Sequence, residues 1–424
     1  MHRTFLPNTV STEGLVEQAQ DTTAPEGMVF HHASEGKPLA TPWQVASIRA
    51  GFISQHRLPE GWILDCACGS GIQLAAYAMA LQRPVLGIEL DEQRAQASAV
   101  NLTTVAKHEQ VGVSWLEGSR IVAGDGTDPD GVLASLGAPS DLIAMLHLDP
   151  ARPRNSRTHA LEEMQPPLHS VLQSWAPFFA PDRPPAVLLD LSPRLTSAQR
   201  EEVEAIVDGV WPNIARTWEW MSRGRGRVDR LGLWLGGLAT PETMRRFVRV
   251  PPRISQKPLV LTCQSEVEES ALTVFPPKRG EYVSILDAAL VESGLAETWL
   301  STVSKDSSFR WNFLEGRRPQ VHHDHALRLN DEESRLLQAT GRVVELIKFT
   351  LDETTVDRLV EVALEHNMAS LKLRFDLAPE LQPILQGSLD RQLRRRHGQR
   401  HGFVAQHPNG EVLLLCAEHA ESKQ

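Results

Sequence analysis

The sequence predicts an α/β protein: a doubly wound, mostly parallel sheet, then a β-rich extension and a C-terminal α+β module. Three observations predict it. Between Trp62 and Pro193, short apolar runs alternate with longer amphipathic ones, the pattern of successive βα units. The first run ends in a glycine turn, Gly69-Ser70-Gly71, that opens a helical pattern. Beyond Trp211 closely spaced strand-like runs take over, and from about Gly341 strand and helix patterns mix.

At 424 residues the chain exceeds one ordinary domain. The expected division is an N-terminal tail at 1–40, a sheet domain at 41–210, a β-rich extension at 211–330 and an α+β module at 331–424. Residues 1–40 are polar and aperiodic, which predicts a mobile or loosely packed lead-in. TPWQVASIRAGFI then carries helical spacing behind Thr41, a residue suited to cap it. Strands are expected at 62–67, 84–90, 119–124, 141–149 and 186–192, with helices from about Ile72, Glu92, Asp130, Thr158 and Ser197. In such a sheet, ligands bind where the carboxyl ends of the strands face a switch in strand order. ARTWEWMS, VDRLGLWLGG, RRFVRV and PLVLTC read as the strands of the extension. The last module combines VVELIKFT, a helix over 355–366, SLKLRF, a basic helix around 381–396, and HGFVAQ and EVLLLC hinged at Asn409-Gly410.

A hydrophobic fraction of 41% and a charged fraction of 23% describe a folding chain, not a disordered or membrane protein. The net charge of -10 confines any nucleic-acid site to a local basic patch. Four cysteines, without the spacing of a disulfide framework, suit a reducing cytoplasm. The N-terminus lacks a signal-peptide core, and LGLWLGGLA at 231–239 is too short to span a bilayer, so neither export nor membrane insertion is expected.

The strongest chemical signal is ILDCACGSG, in which a strand ends in Asp65 and turns through Gly69 and Gly71 into a helix. Glycines there let a backbone approach a ligand, and the helix start offers free N–H groups. A dinucleotide fingerprint wants a third glycine where Leu74 stands, and Asp65 places a negative charge beside any pyrophosphate. An acid suits a ligand carrying an ammonium and a sulfonium, so the chemistry favours S-adenosylmethionine (AdoMet) over NAD. A purely structural βα turn is the plainer alternative.

Glu89 ends the next strand, twenty residues past Gly69, where an acid takes ribose hydroxyls, and Asp91 is placed to cap the helix behind it. Asp125, in IVAGDG, ends a third strand and is placed to accept from an adenine amino group. Each acid alone reads equally well as a turn residue; their order after successive strands is the signal. In LHLDPARPRNSR, Asp149-Pro150 follows the fourth strand on the edge where a methyl acceptor would sit. Pro150 stiffens the loop and Asp149 can orient a nucleophile, although an Asx-Pro turn is again the structural alternative.

ILDCACGSG, VLGIELDEQRAQASAVNL, IVAGDG and LDPAR stand in the order found in class I AdoMet-dependent methyltransferases, and the chain resembles that family. DPAR followed by LEEMQPPL, WEWMS, VDRLGLWLG, GEYVSILDAALVESGLAETW and ASLKLRFDLAPELQPIL is similar to members carrying a C-terminal THUMP-like domain. The resemblance spans roughly residues 41–418. It implies a Rossmann-like fold, AdoMet as cofactor, and contacts to it from Asp65, Gly69, Gly71, Glu89 and Asp125. It also implies Asp149 and Pro150 at the acceptor side and, through the THUMP-like module, RNA as substrate. The loop departs from the family: Arg152-Pro153-Arg154 replaces a double arginine, and no aromatic follows Asp149-Pro150 to stack on a base.

Arg152 and Arg154, beside the catalytic edge, and Arg394, Arg395 and Arg396, in RQLRRRHGQRH, are the expected substrate-binding cations. Arginines at 223–230 and 245–253 form two further groups, with solvated faces as the plain alternative. His322, His323 and His325 match no metal-ligand spacing, so no metal is expected. Cys66 and Cys68 read as small buried residues, and the tryptophans at 211, 218, 220 and 234 as packing. The rival readings are a catalytically inactive methyltransferase-like RNA-binding protein, and a methyltransferase acting on protein or a small molecule.

Overall fold

The computed structural model describes residues 2–18, 20–34, 40–108, 114–136, 143–153, 158–224, 226–264, 272–273, 275–305, 308–396 and 398–418. They group into two compact units, Met1–Glu219 with Arg230–Arg246 and Val250–Pro258, and Trp220–Asp229 with Phe247–Arg249 and Leu259–Gln424. The stretch read as a β-rich extension is therefore divided between the units.

In the first unit the elements are β1 (Arg3–Phe5), β2 (Leu15–Glu17), β3 (His31–Ala33), α1 (Trp43–Ile53), β4 (Trp62–Asp65), α2 (Ile72–Leu81), β5 (Val85–Glu89), α3 (Glu92–His108), α4 (Ser114–Gly118), β6 (Arg120–Ala123), α5 (Pro129–Leu136), β7 (Ile143–Leu148), α6 (Leu168–Trp175), β8 (Ala186–Leu191) and α7 (Ser197–Val210). β9 (Arg216–Ser222), of which the residues up to Glu219 fall in this unit, β10 (Arg230–Gly236) and β11 (Arg245–Arg249), of which Arg245 and Arg246 do, follow. The sheet order runs β1-β6-β5-β4-β7-β8-β10-β9-β11. β4 pairs in parallel with β5 and β7, β5 with β6, and β7 with β8, while β1 and β10 are antiparallel to their neighbours. Strand order thus reverses between β4 and β7, the switch point where an α/β sheet opens a crevice. Helices cover both faces, so β7 and β8 are buried along their whole length.

Local chemistry sets the helix starts. Asp91 Oδ1 accepts from the Arg94 N–H at 2.8 Å to cap α3, as expected. Thr196 and Gln199 form a reciprocal capping box on α7. Two expectations are corrected. Thr41 does not cap α1: Asp21 Oδ2 and Thr23 Oγ1 accept from the N–H groups of Trp43 (2.7 Å) and Gln44 (3.2 Å), while Thr41 accepts from Arg230. The helix expected from Thr158 begins at Leu168, because Pro166 and Pro167 bar helical geometry just before it.

The lead-in is also packed. β1 adds to the sheet edge, β2 and β3 form a hairpin, and Phe5, Met28 and Phe30 enter the core built on α1, α2 and α3. Isolated apolar residues in a polar stretch have no period, which is why the pattern read as a tail. Residues 35–39 lie outside the described residues.

The second unit holds β12 (Leu259–Cys263), β13 (Tyr282–Leu286), α8 (Ala288–Glu292), α9 (Ala296–Val303), β14 (Phe309–Phe313), β15 (Gln320–His323), β16 (Leu337–Ile347), α10 (Val356–Glu365), β17 (Met368–Arg374), α11 (Leu381–Leu393), β18 (Arg400–Gln406) and β19 (Leu413–Glu418). Its sheet runs β14-β15-β13-β16-β19-β18-β17. β17 and β18 pair in parallel. Val356, Leu359, Val360 and Ala363 form one face of α10, and Leu385, Leu389 and Leu393 one face of α11. Both faces bury against the sheet, as helical spacing of apolar residues requires.

Candidate functional site

The carboxyl ends of β4, β5 and β7 bring most of the expected residues together. Gly69 (φ 53°) and Gly71 (φ 68°) hold the left-handed conformation of the β4–α2 turn. A Cβ on Gly71 would lie 2.1 Å from Ser98 Oγ, so close packing of α2 on α3 excludes a side chain there. A Cβ on Gly69 would meet nothing within 4 Å among the described residues, so that side of the turn is open. The Gly69 N–H donates to Glu89 Oε2 at 3.0 Å, and the Asp91 N–H to Glu89 Oε1 at 3.1 Å. Burial raises the Glu89 pKa, with those N–H groups and Arg94 opposing. Beside it Leu90 stands 79% exposed, an apolar face that sequence reasoning did not single out. Asn101 ties the turn to the lead-in: its Nδ2 donates to Ser70 O (2.7 Å) and His31 O (2.9 Å), and its Oδ1 accepts from the His31 N–H.

Asp65 and Asp125 differ in setting. Asp125 is exposed and closes its own turn, its Oδ1 accepting from Thr127 N and Oγ1, each at 2.8 Å. Asp65 is 2% exposed; Oδ1 accepts from the Ala67 N–H at 3.0 Å and Oδ2 from His147 Nδ1 at 2.8 Å.

His147 opens a charged network that the motif reading missed. Its Nε2 meets Asp190 Oδ2 at 3.2 Å. The Arg49 guanidinium pairs with Asp190 and lies 3.6 Å from Glu219 Oε1, while Arg246 binds Glu219 Oε2 at 2.7 Å and stacks over Trp234. Burial pushes the His147 pKa down, but Asp65 and Asp190 outweigh it and raise it to about 10, so the imidazolium is the resident form. Burial likewise disfavours the Asp190 carboxylate, and Arg49 and His147 reverse that, holding it below the usual range. The available signal was one histidine and one aspartate interrupting the otherwise apolar runs IAMLHL and AVLLDL.

Asp149 lies just past β7. Its Oδ2 is 3.3 Å from Arg230 Nη1, and Pro150 beside it is buried. Lost solvent contact raises the Asp149 pKa and Arg230 opposes the rise; with 37% of the side chain exposed, water tempers it. Ala151 exchanges two backbone hydrogen bonds with Gln165, at 2.8 and 2.9 Å, which fixes the loop. Arg152 follows with Nε and Nη2 buried and unpartnered. Burial lowers its pKa, with Asp149, Asp190 and Glu163 opposing. Arg154 lies outside the described residues. Arg394, Arg395 and Arg396 are exposed at the end of α11 in the second unit.

Other candidates are absorbed by the fold. Arg223 and Arg227 pair with Asp229, and Arg249 with Asp287. His322 bonds Asn312 and Arg310, and His323 bonds Ser284 and the His325 carbonyl. Cys66 and Cys68 are buried, and burial pushes both thiols up. Trp218, Trp220 and Trp234 are core residues. Among the described residues no helix is long and apolar enough to cross a membrane, and no cluster of three or more His, Cys, Asp or Glu is placed to hold a metal.

No family model and no curated protein matches the sequence. Among solved structures, the chain is similar to a Porphyromonas gingivalis W83 protein assigned as a methyltransferase without a stated substrate. The match covers 90% of this chain and 82% of that one, at a TM-score of 0.57 and 17% identity. Partial matches include the T. thermophilus 16S rRNA N2 G1207 methyltransferase in complex with AdoMet and guanosine (TM-score 0.34, 13% identity, 52% of this chain and 50% of that). Another is a Streptococcus mutans protein, also assigned as a methyltransferase, in complex with SAH (TM-score 0.31, 8% identity, 48% and 98%). The chain shares with the P. gingivalis protein a mixed α/β fold with a large, mostly parallel sheet, an architecture consistent with a class I methyltransferase fold.

Proposed function

We propose that the chain is an AdoMet-dependent methyltransferase that methylates RNA. The observation that carries this reading is the convergence of Gly69, Gly71 and Glu89 on one side of the switch point with Asp149 and Pro150 on the other. The residues present fit the cofactor. Glu89 offers a carboxylate to ribose hydroxyls, exposed Leu90 offers an apolar face to adenine, and Asp125 lies at the end of the next strand over. Asp65 orients the turn through the Ala67 N–H, with its own charge answered by His147.

AdoMet would supply an electrophilic methyl group on a sulfonium. The chain's own work is to position the acceptor, which is most of what such a transfer needs. Asp149, held by Arg230 behind the stiff Pro150, orients the nucleophile and takes up its proton through its raised pKa. Arg152, with two unpartnered guanidinium nitrogens beside Asp149, is suited to a substrate anion, and Arg154, two positions on in the sequence, is proposed to share that role. Residues 331–424 are read as the THUMP-like module, with Arg394, Arg395 and Arg396 as phosphate contacts. A cytoplasmic enzyme is the matching setting.

The test is transfer of labelled methyl from AdoMet to total RNA, DNA and protein compared side by side. RNA labelling that Asp149→Asn abolishes, with AdoMet binding retained, supports the reading. Label appearing only in protein or DNA defeats the RNA half, and wild-type protein that takes up NAD and not AdoMet defeats the cofactor half.

A further inference from the structure

The second unit contains a cavity of about 330 Å³ that belongs to none of the residues above. Its size is at the lower end of sites that hold small ligands. Its walls are predominantly polar, and three arginines line it: Arg317 and Arg318 from the β14–β15 connection, and Arg374 from the last position of β17. Gln338 of β16, Gln382 of α11, and Gly224 and Gly226 complete most of the lining, and none of the lining residues is acidic.

The charge balance of this cavity is unusual for a resting surface. Arg318 is answered by Asp376, at 2.9 Å. Arg317 and Arg374 have no carboxylate partner within ion-pair distance among the described residues, and Arg374 Nε is buried with no hydrogen-bond partner. The arginines also feel one another. Burial lowers the Arg318 pKa, Asp376 opposes, and Arg374 and Arg317 push it further down. Guanidinium groups repel and lose hydration when gathered this way, a cost that an anion between them removes.

The surroundings hold the cavity open. Gln338 Nε2 donates to Leu286 O and Arg317 O, each at 2.7 Å, which fixes the Arg317 backbone. Gly226, at φ 66°, comes so near that a Cβ would sit 2.9 Å from Arg317 O. A planar guanidinium fork matches a phosphate better than it matches a spherical anion, and glycine at the rim admits close backbone approach.

We propose that this cavity is a phosphate-binding site, taking either a phosphate of a nucleic-acid chain or a free phosphate compound. Phosphate capture does not depend on the methyl acceptor. That the phosphate belongs to the substrate strand does rest on the RNA reading above.

Calorimetric titration of the full chain with pyrophosphate, and with a short oligoribonucleotide carrying or lacking a 5′-phosphate, tests it. Arg317→Glu, at an exposed position, and Arg374→Gln are the variants, with AdoMet affinity and thermal unfolding as controls for folding. Saturable binding of pyrophosphate or oligoribonucleotide that weakens at least tenfold in both folded variants is expected. Preference for pyrophosphate identifies a free phosphate compound, preference for the 5′-phosphorylated strand a chain end, and indifference to the 5′-phosphate an internal phosphodiester. No saturable binding of either probe, or unchanged binding in a folded Arg317→Glu, overturns the site. RNA methylation surviving alongside that result would leave the proposed activity standing.

Discussion

Removing the His147 charge gives a pH-dependent test of the buried network. In the folded chain the imidazolium titrates near 10, against an ordinary value of 6.5. A raised pKa contributes stability that is fully present below the unfolded value and is lost as pH rises through the folded one. Between roughly pH 7.5 and 9.5 the folded state holds one proton that the unfolded state has released, so stability falls by about 1.4 kcal/mol per pH unit. The whole shift corresponds to about 5 kcal/mol, an order-of-magnitude ceiling for this near-fully buried group. Asp190's downward shift is the same attraction seen from the other side and is not added. Tyr77, Cys66 and Cys68, whose pKa values burial raises, give the alkaline limb a further slope in any variant. The measurement is therefore a difference: urea unfolding of wild type and His147→Gln at pH 7, 8, 9 and 10. Glutamine keeps a hydrogen-bonding head without the charge, so the gap between the two proteins should be widest near pH 7 and close as pH approaches 10. Parallel stability curves would refute an imidazolium at this position.

Three further outcomes follow from the site geometry. Glu89→Gln should weaken AdoMet by about 10- to 100-fold in calorimetry, since a charge-assisted hydrogen bond is worth about 1.5–3 kcal/mol, and should lower stability by about 1–3 kcal/mol in urea unfolding, since the amide NH2 cannot accept from one of the Gly69 and Asp91 N–H groups. Gly71→Ala faces both a left-handed backbone and Ser98 Oγ at 2.1 Å; a loss of roughly 2 kcal/mol or more in urea unfolding is expected, and an unchanged midpoint would contradict the packing. Asn101→Ala leaves Ser70 O and the backbone of His31 without their partner, so hydrogen exchange around residues 28–34 should accelerate and stability fall by about 1–3 kcal/mol.

The parallel core was legible because strands buried on both faces must read as apolar runs, and helices between them must alternate faces at helical spacing. That reasoning found all five central strands to within two residues at each end. Gly69, Gly71 and Glu89 stood out in the sequence because a chain reversal at a strand end restricts which residues fit, and the structure places them in that turn and at the end of β5. The lead-in escaped it, since pairing of β1 with β6 is a tertiary choice that leaves no period in RTF. α8, α9 and β13–β15 were likewise left undivided in the extension, being four to eight residues long. The clusters of arginine were visible as composition, but their partners Asp229, Asp287 and Glu219 are fixed only by the fold.

The hidden network explains why a strand-end aspartate can sit 2% exposed at the switch point of the sheet. Asp65, Asp190 and Glu219 carry three negative charges; His147, Arg49 and Arg246 carry three positive ones, and all six residues are buried. Apolar residues of similar volume would satisfy those positions at no electrostatic cost, so stability alone does not account for the ions. Balance does require the histidine to be charged, because a neutral imidazole would leave one buried carboxylate unanswered. The six side chains come from α1, β4, β7, β8, β9 and β11: His147 ties β7 to its neighbours β4 and β8, and Arg49 of α1 links Asp190 of β8 to Glu219 of β9 past β10, which contributes none of the six. A one-residue slip of β7 would point His147 to the other face and separate Asp65 from Asp190. The network therefore fixes the register of β7, and with it the place where Asp149 leaves the sheet.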